Sequence, residues 1–274
     1  MHTDFVQANT VKLQYFEHGT GPEQLVLVHG YRSSGRIWRL VQEVLDKTRF
    51  RSVALSNRGA GDSERTAAES DYTVESFAGD LCAATQALGL RDFILVGHSM
   101  GGATVTQFAL DHPELVKALV LLNPAPLAGR ALSENWEQQI REEFASGWST
   151  ENVAANTPHV PEEFRQALQA DIVRNPIERV LGGRRSMAGL RLRQRLQELP
   201  MPVCVIGGDQ DITVGVHNIL AEYLALPESR RFLHMFHGIG HSPNVEAATR
   251  CAGVLDRFVS QTVPQCLASE RSLR

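Results

Sequence analysis

Cysteine is scarce in this sequence: four among 274 residues, at positions 82, 204, 251 and 266, with no CxxC and no Cys/His pair. That spacing argues against a disulfide framework or a structural zinc site and suits a reducing compartment. Cys82 and Cys204 lie in apolar stretches and read as small buried hydrophobes. Charge of one sign is also lacking: the formal net charge is −4, which offers no footprint for a polyanion, so no nucleic-acid partner is expected. No run approaches the roughly 20 apolar residues of a membrane span. Met1–Asn9 has neither the basic start nor the apolar stretch of a secretory signal, so a cytoplasmic location without membrane contact is expected. HExxH, P-loop and GxGxxG patterns are missing as well; no metal and no other cofactor is expected.

What the chain does contain is an ordinary globular composition, 43% hydrophobic and 21% charged, at a length that allows one large domain or a domain carrying an insertion. Short apolar strands alternate with amphipathic helices. Strands are expected at Val11–Phe16, Leu25–Val28, Arg51–Leu55, Phe93–Val96, Ala118–Leu122, Val203–Ile206 and Arg231–Phe236. Leu25-Val26-Leu27-Val28 is continuously apolar, as befits a strand buried on both faces. Helices are expected over Ile37–Leu45, Ser76–Leu88, Gly101–Leu110 and Ala247–Val259; Phe77, Leu81, Ala84 and Leu88 share one face of the second. Strand, helix, strand at this rhythm predicts an α/β fold: a doubly wound, mostly parallel sheet with right-handed crossovers.

Between Pro126 and Pro200 the strand signal disappears and helical spacing takes over, with Trp136, Ile140 and Phe144 at i, i+4 and i+8. The expected organisation is a core of residues 1–125 and 201–264, a helical cap at 126–200 and a frayed polar tail at 265–274. Trp136, Phe144, Trp148 and Phe164 read as the apolar centre of the cap. The stretch from Arg179 to Arg195 holds six arginines, Arg179, Arg184, Arg185, Arg191, Arg193 and Arg195. They form either a cationic rim that draws in an anionic substrate or a solvated face; the cap balances ten arginines with ten acids, which favours the solvated face.

The sharpest signal is Gly97-His98-Ser99-Met100-Gly101, directly after one apolar strand and directly before a helix. In that context G-x-S-x-G marks a nucleophile elbow: a strained turn presents a serine at the tip of a strand, and Gly97 and Gly101 avoid collisions with neighbouring backbone. Gly102 permits close packing of the following helix. Serine hydroxyl is a weak nucleophile until a base takes its proton, so Ser99 needs a histidine within reach. The helix start behind Ser99 suits a developing oxyanion.

On these residues the sequence resembles the α/β-hydrolase family, in its serine-nucleophile branch with a helical cap, over roughly Val11 to Val259. The resemblance implies the order nucleophile, acid, histidine. Gly208-Asp209-Gln210-Asp211 matches the family's G-x-x-D after a late strand, which implies Asp211 as the acid, with Asp209 as the alternative. Gly240-His241-Ser242-Pro243 matches its G-H-x-P element, which implies His241 as the base, with His237 as the alternative. The oxyanion hole is implied at the backbone N–H of Met100 and of Tyr31, the residue after His29-Gly30, while His29 itself braces the loop. Where the family often has an aspartate ahead of R-G-x-G-x-S, this chain has Ser56-Asn57-Arg58.

Haloalkane dehalogenases and epoxide hydrolases of this fold use a carboxylate nucleophile, which a serine at position 99 argues against. A serine fits acyl transfer through a tetrahedral intermediate and an acyl-enzyme. The leading expectation is a carboxylic ester hydrolase acting on a small apolar or aryl ester. Lactone, amide or carbon–carbon hydrolysis fits the same triad, as does a cofactor-free haloperoxidase or perhydrolase. A slow-turnover small-molecule receptor is the alternative from another class.

Overall fold

The computed structural model describes residues 1–151 and 160–263. Eight strands form one sheet: β1 (His2–Ala8), β2 (Val11–His18), β3 (Glu23–Val28), β4 (Phe50–Leu55), β5 (Phe93–His98), β6 (Val116–Leu122), β7 (Val203–Gly208) and β8 (Arg231–Phe236), in the order β1-β2-β4-β3-β5-β6-β7-β8. From β4 to β8 every pairing is parallel; β1 and β2 join as an antiparallel hairpin at one edge. β1 is the strand that periodicity misses. Its first four residues are exposed, with only Val6 and Ala8 buried, so it carries little alternation; partner β2 and a turn with Asn9 at φ 51° define it instead.

The central strands β3, β5 and β7 are apolar because both faces are covered. Alternate side chains feed opposite layers. Phe93 and Leu95 of β5 join Leu119 and Leu121 of β6 in one layer, whereas Ile94 and Val96 join Val120 and Leu122 in the other. The first layer is closed by α2 (Val74–Ala87), α3 (Met100–Asp111) and a later helix at Val216–Ala225; the second is closed by α1 (Arg39–Val44) and the C-terminal helix at Ala248–Arg257. Thr73 caps α2, its hydroxyl accepting from Ser76 N–H, which is why that helix starts two residues ahead of the expected Ser76.

Between β6 and β7 the described residues hold no strand. They form α4 (Trp136–Ser146), α5 (Glu162–Val173) and α6 (Ile177–Ala188). Trp148 and Phe164 are buried there, but Phe144 is 44% exposed and lies against the Trp148 ring, centroids 5.2 Å apart. No residue of α4 is fully buried; Trp148, just beyond it, takes the buried position, where its indole N–H reaches the Asn175 carbonyl at 2.9 Å. Residues 152–159, Cys266 and the expected tail at 265–274 lie outside the described residues. After β7 come α7 (Val216–Ala225), α8 (Pro243–Glu246) and α9 (Ala248–Arg257). No helix among the described residues is long and apolar enough to cross a membrane.

Of the cysteines, Cys204 and Cys251 are buried and Cys82 is half-buried; burial pushes the Cys251 thiol up to about 12.

Candidate active site

Ser99 sits between β5 and α3 with φ 53° and ψ −119°, a left-handed conformation that costs a non-glycine residue about 1–3 kcal/mol. The turn is held from both sides. Ser99 N–H donates to Leu122 O at 3.0 Å, and Ser99 O accepts from Gly102 N–H at 2.8 Å and from Ala125 N–H at 2.9 Å. The flanking glycines are required by close approach: a Cβ on Gly97 would lie 2.3 Å from Gly101 O, and one on Gly101 would lie 2.4 Å from Val28 O. Gly30 is in a similar position, since its Cβ would meet Ser99 Cβ at 2.9 Å. The loop that carries Tyr31 is thereby pressed against the serine.

The other predicted residues arrive from the ends of later strands. His241, on the loop after β8, has Nε2 3.0 Å from Ser99 Oγ and Nδ1 2.8 Å from Asp211 Oδ2. Asp211 follows β7; its Oδ1 accepts from the N–H groups of Thr213 at 2.8 Å and Val214 at 3.1 Å. Burial pushes this carboxyl up, but the His241 hydrogen bond and charge, with the two backbone donors, outweigh it and hold it below its ordinary value. Asp211 is therefore ionised and fixes the ring with a proton on Nδ1, leaving Nε2 as the acceptor that faces Ser99. The alternatives, Asp209 and His237, pair with each other instead: His237 Nδ1 is 2.7 Å from Asp209 Oδ2, with the His237 side chain almost fully exposed. Gly238 N–H adds a 2.7 Å bond to the same carboxylate. The structure thus brings Ser99, His241 and Asp211 together and leaves Asp209 and His237 as a surface pair.

Asn123 and Glu246, which motif reading passed over, and His98, which it named only as part of the elbow, hold the His241 loop. Asn123, fully buried at φ 39° just after β6, donates through Nδ2 to Gly240 O at 2.8 Å and His241 O at 3.0 Å, and accepts from Gly208 N–H at 2.9 Å. His98, inside the elbow motif, places Nε2 2.8 Å from His241 O. Burial holds its pKa down at about 3, so the ring is neutral, and only its donor nitrogen can satisfy a carbonyl. Glu246 accepts from the N–H groups of Gly240 and Ser242, both at 2.7 Å. A buried-polar residue at the end of β6 was the available signal for Asn123; its partners lie more than 80 residues away, which no local pattern reveals.

His29 braces the preceding loop. Its Nε2 accepts from Asn57 N–H at 3.0 Å, so Nδ1 carries the proton and donates to Gly30 O at 2.8 Å. Burial, aided by the nearby Arg179 cation, holds its pKa well below the ordinary value. Tyr31 lines the cavity and ties the loop to α6 through a 2.7 Å bond from its hydroxyl to Val180 O.

Two cavities meet at Ser99 and His241. One, of about 210 Å³, is walled by Pro126, Leu132, Met187 and Val214; the other, of about 370 Å³, by Ile37, Leu168, Ile172 and Val245. Tyr31 and Thr213 belong to both. Of the six arginines, Arg179 is buried rather than solvated: among the described residues its guanidinium bonds only to the Asn175 side chain one turn earlier, and Nε and Nη2 find no hydrogen-bond partner there. Arg185, Arg193 and Arg195 pair with acids, Arg191 donates to backbone carbonyls, and Arg184 faces the smaller cavity. No group of three or more metal-ligating side chains occurs among the described residues.

A mostly parallel sheet with a serine on a strained strand–helix turn, and a histidine–carboxylate pair carried on loops after later strands, defines a recognised class of α/β proteins. A family model described as alpha/beta hydrolase fold matches residues 24–248, and the chain belongs to that family. A protein of Bacillus subtilis (strain 168), provisionally named 2-succinyl-6-hydroxy-2,4-cyclohexadiene-1-carboxylate synthase, is 25% identical over 87% of this chain and 90% of its own. Among solved structures, a bromoperoxidase from Bacillus anthracis superposes with a TM-score of 0.84 at 21% identity, covering 95% of this chain and 100% of that one. A thermophilic esterase from Thermogutta terrifontis gives 0.80 at 22% identity, covering 96% and 99%. At these identities the two structures speak for the fold alone.

Proposed function

We propose that this protein is a serine hydrolase that cleaves small carboxylic esters through an acyl-enzyme. The observation that carries the proposal is the continuous chain of contacts from Ser99 Oγ to His241 Nε2 at 3.0 Å and from His241 Nδ1 to Asp211 at 2.8 Å. Ser99 attacks the ester carbonyl as His241 takes the hydroxyl proton. Asp211 keeps the ring in the productive tautomer and offsets the positive charge that forms on it. The oxyanion of the tetrahedral intermediate is received by the N–H groups of Met100, at the start of α3, and of Tyr31, on the loop pressed against Ser99. His241 then protonates the departing alcohol, and water, activated by the same histidine, releases the acid. The two cavities give the acyl part and the alcohol part separate places, and the helices between β6 and β7 form the cap over them.

A p-nitrophenyl ester series from acetate to decanoate tests this, with Ser99→Ala alongside. Turnover that falls by at least about 10⁴-fold in the variant supports it, given the cost of removing a serine nucleophile, and the optimal chain length sizes the pocket. Turnover that survives in Ser99→Ala refutes it.

A further inference from the structure

The smaller cavity has an asymmetry of charge. Its lining holds two guanidinium groups, Arg130 and Arg184, and no carboxylate. Arg130 is exposed and donates weakly, at 3.3 Å, to the Thr213 carbonyl. Arg184 is half-buried, and its guanidinium makes no hydrogen bond and no ion pair with any described residue. Its neighbour in sequence is the contrast: Arg185 is held by both Glu69 and Glu137. The larger cavity differs as well. It also carries an arginine, Arg32, but that group is engaged by Glu143 at 2.8 Å and stacked 4.3 Å over the Trp148 ring.

Glu143 shares a neighbouring cleft with Arg184 but is committed to Arg32; a cation left without an ion-pair partner is electrostatically incomplete, and a cleft lined by one sign of charge concentrates ions of the other. The planar guanidinium suits a carboxylate in particular, which it can grip through two parallel N–H···O bonds. We infer that the Arg184 cavity receives a carboxylate: the substrate is an ester one half of which is acidic, that half entering beside Arg184 while the neutral half occupies the larger cavity. This inference rests on the serine-hydrolase reading for the word ester, but not for the anion site itself.

Two matched pairs of esters test it. p-Nitrophenyl hydrogen glutarate and its terminal carboxamide place the charge on the acyl part; the butyrate ester of 4-hydroxybenzoate and its carboxamide place it on the leaving group. In one pair the wild-type protein should prefer the carboxylate by about 10- to 100-fold in kcat/KM, the range expected of a charge-assisted hydrogen bond, and added salt should narrow the preference. Arg184→Gln should bring that ratio close to one, and Arg184→Lys should restore part of it. A wild-type ratio at or below one in both pairs, or a preference that Arg184→Gln leaves intact, overturns the inference. Failure of all four esters would count against the hydrolase reading separately. Calorimetric titration with glutarate then decides the anion site: binding at least about tenfold weaker in Arg184→Gln sustains it, and equal binding or none to either protein ends it.

Discussion

Asn123 offers the most informative perturbation, because the same side chain supports both the fold and the aim of His241. Replacement by alanine removes three hydrogen bonds and leaves Gly208 N–H buried without its acceptor. An unsatisfied buried donor costs about 1–3 kcal/mol. Holding alanine at φ 39° adds about 1 kcal/mol, and losing the bonds to Gly240 O and His241 O adds about 1 kcal/mol more, since His98 still serves His241 O. The expected loss is about 3–5 kcal/mol in urea unfolding. Asn123→Asp is the discriminating partner: its oxygen can still accept from Gly208 N–H, but the two donors facing the carbonyls are gone. Its second oxygen would face two carbonyls in a fully buried site, so its stability should fall at least as far as that of Asn123→Ala. Both variants should lower kcat/KM by about 100-fold, the cost of misplacing a catalytic group by about 1 Å, with KM nearly unchanged. Variants that lose stability while retaining wild-type kcat/KM would refute the claim that Asn123 positions His241.

Gly101→Ala should fail to accumulate as folded protein or lose several kcal/mol, because its Cβ would meet two backbone carbonyls of the β3 end, Val28 O at 2.4 Å and His29 O at 2.6 Å; normal melting would show that α3 can move away at little cost. His237→Ala should leave kcat/KM within about twofold, since the ring pairs with Asp209 on the surface and does not reach Ser99; a large loss would restore the alternative acid–base pair. His98 and His29 are buried with depressed pKa values, so their stabilising effect is complete above the unfolded histidine value near 6.5 and is lost as pH falls from there towards the folded values. Each adds a slope of up to about 1.4 kcal/mol per pH unit; guanidinium unfolding at pH 7, 6 and 5 should show steadily declining stability, and a flat profile would contradict neutral burial of both rings.

Much of this protein is legible in one dimension. The parallel strands announce themselves as short apolar runs, because a strand covered on both faces has no polar side to show. The elbow is partly local: Gly97 answers to the Gly101 carbonyl within the same turn, whereas Gly101 answers to the carbonyls of Val28 and His29 at the end of β3. Asp211 and His241 could be chosen over Asp209 and His237 only by resemblance, since spacing treats the members of each pair alike. Three-dimensional folding separated them, by placing the loops after β7 and β8 so that one pair meets Ser99 and the other meets solvent. β1 was hidden because an exposed edge strand buries too little to leave a pattern. Asn123, Glu246 and the carbonyl-binding role of His98 were hidden because their partners come from distant loops. The arginine run shows the same division: composition set its charge, but only the packing of α6 against the site decided that Arg179 is buried, that Arg185 is paired and that Arg184 faces the cavity. A sequence pattern records which surface an element buries, whereas the partner that a polar or charged group finds depends on contacts between segments far apart in the chain.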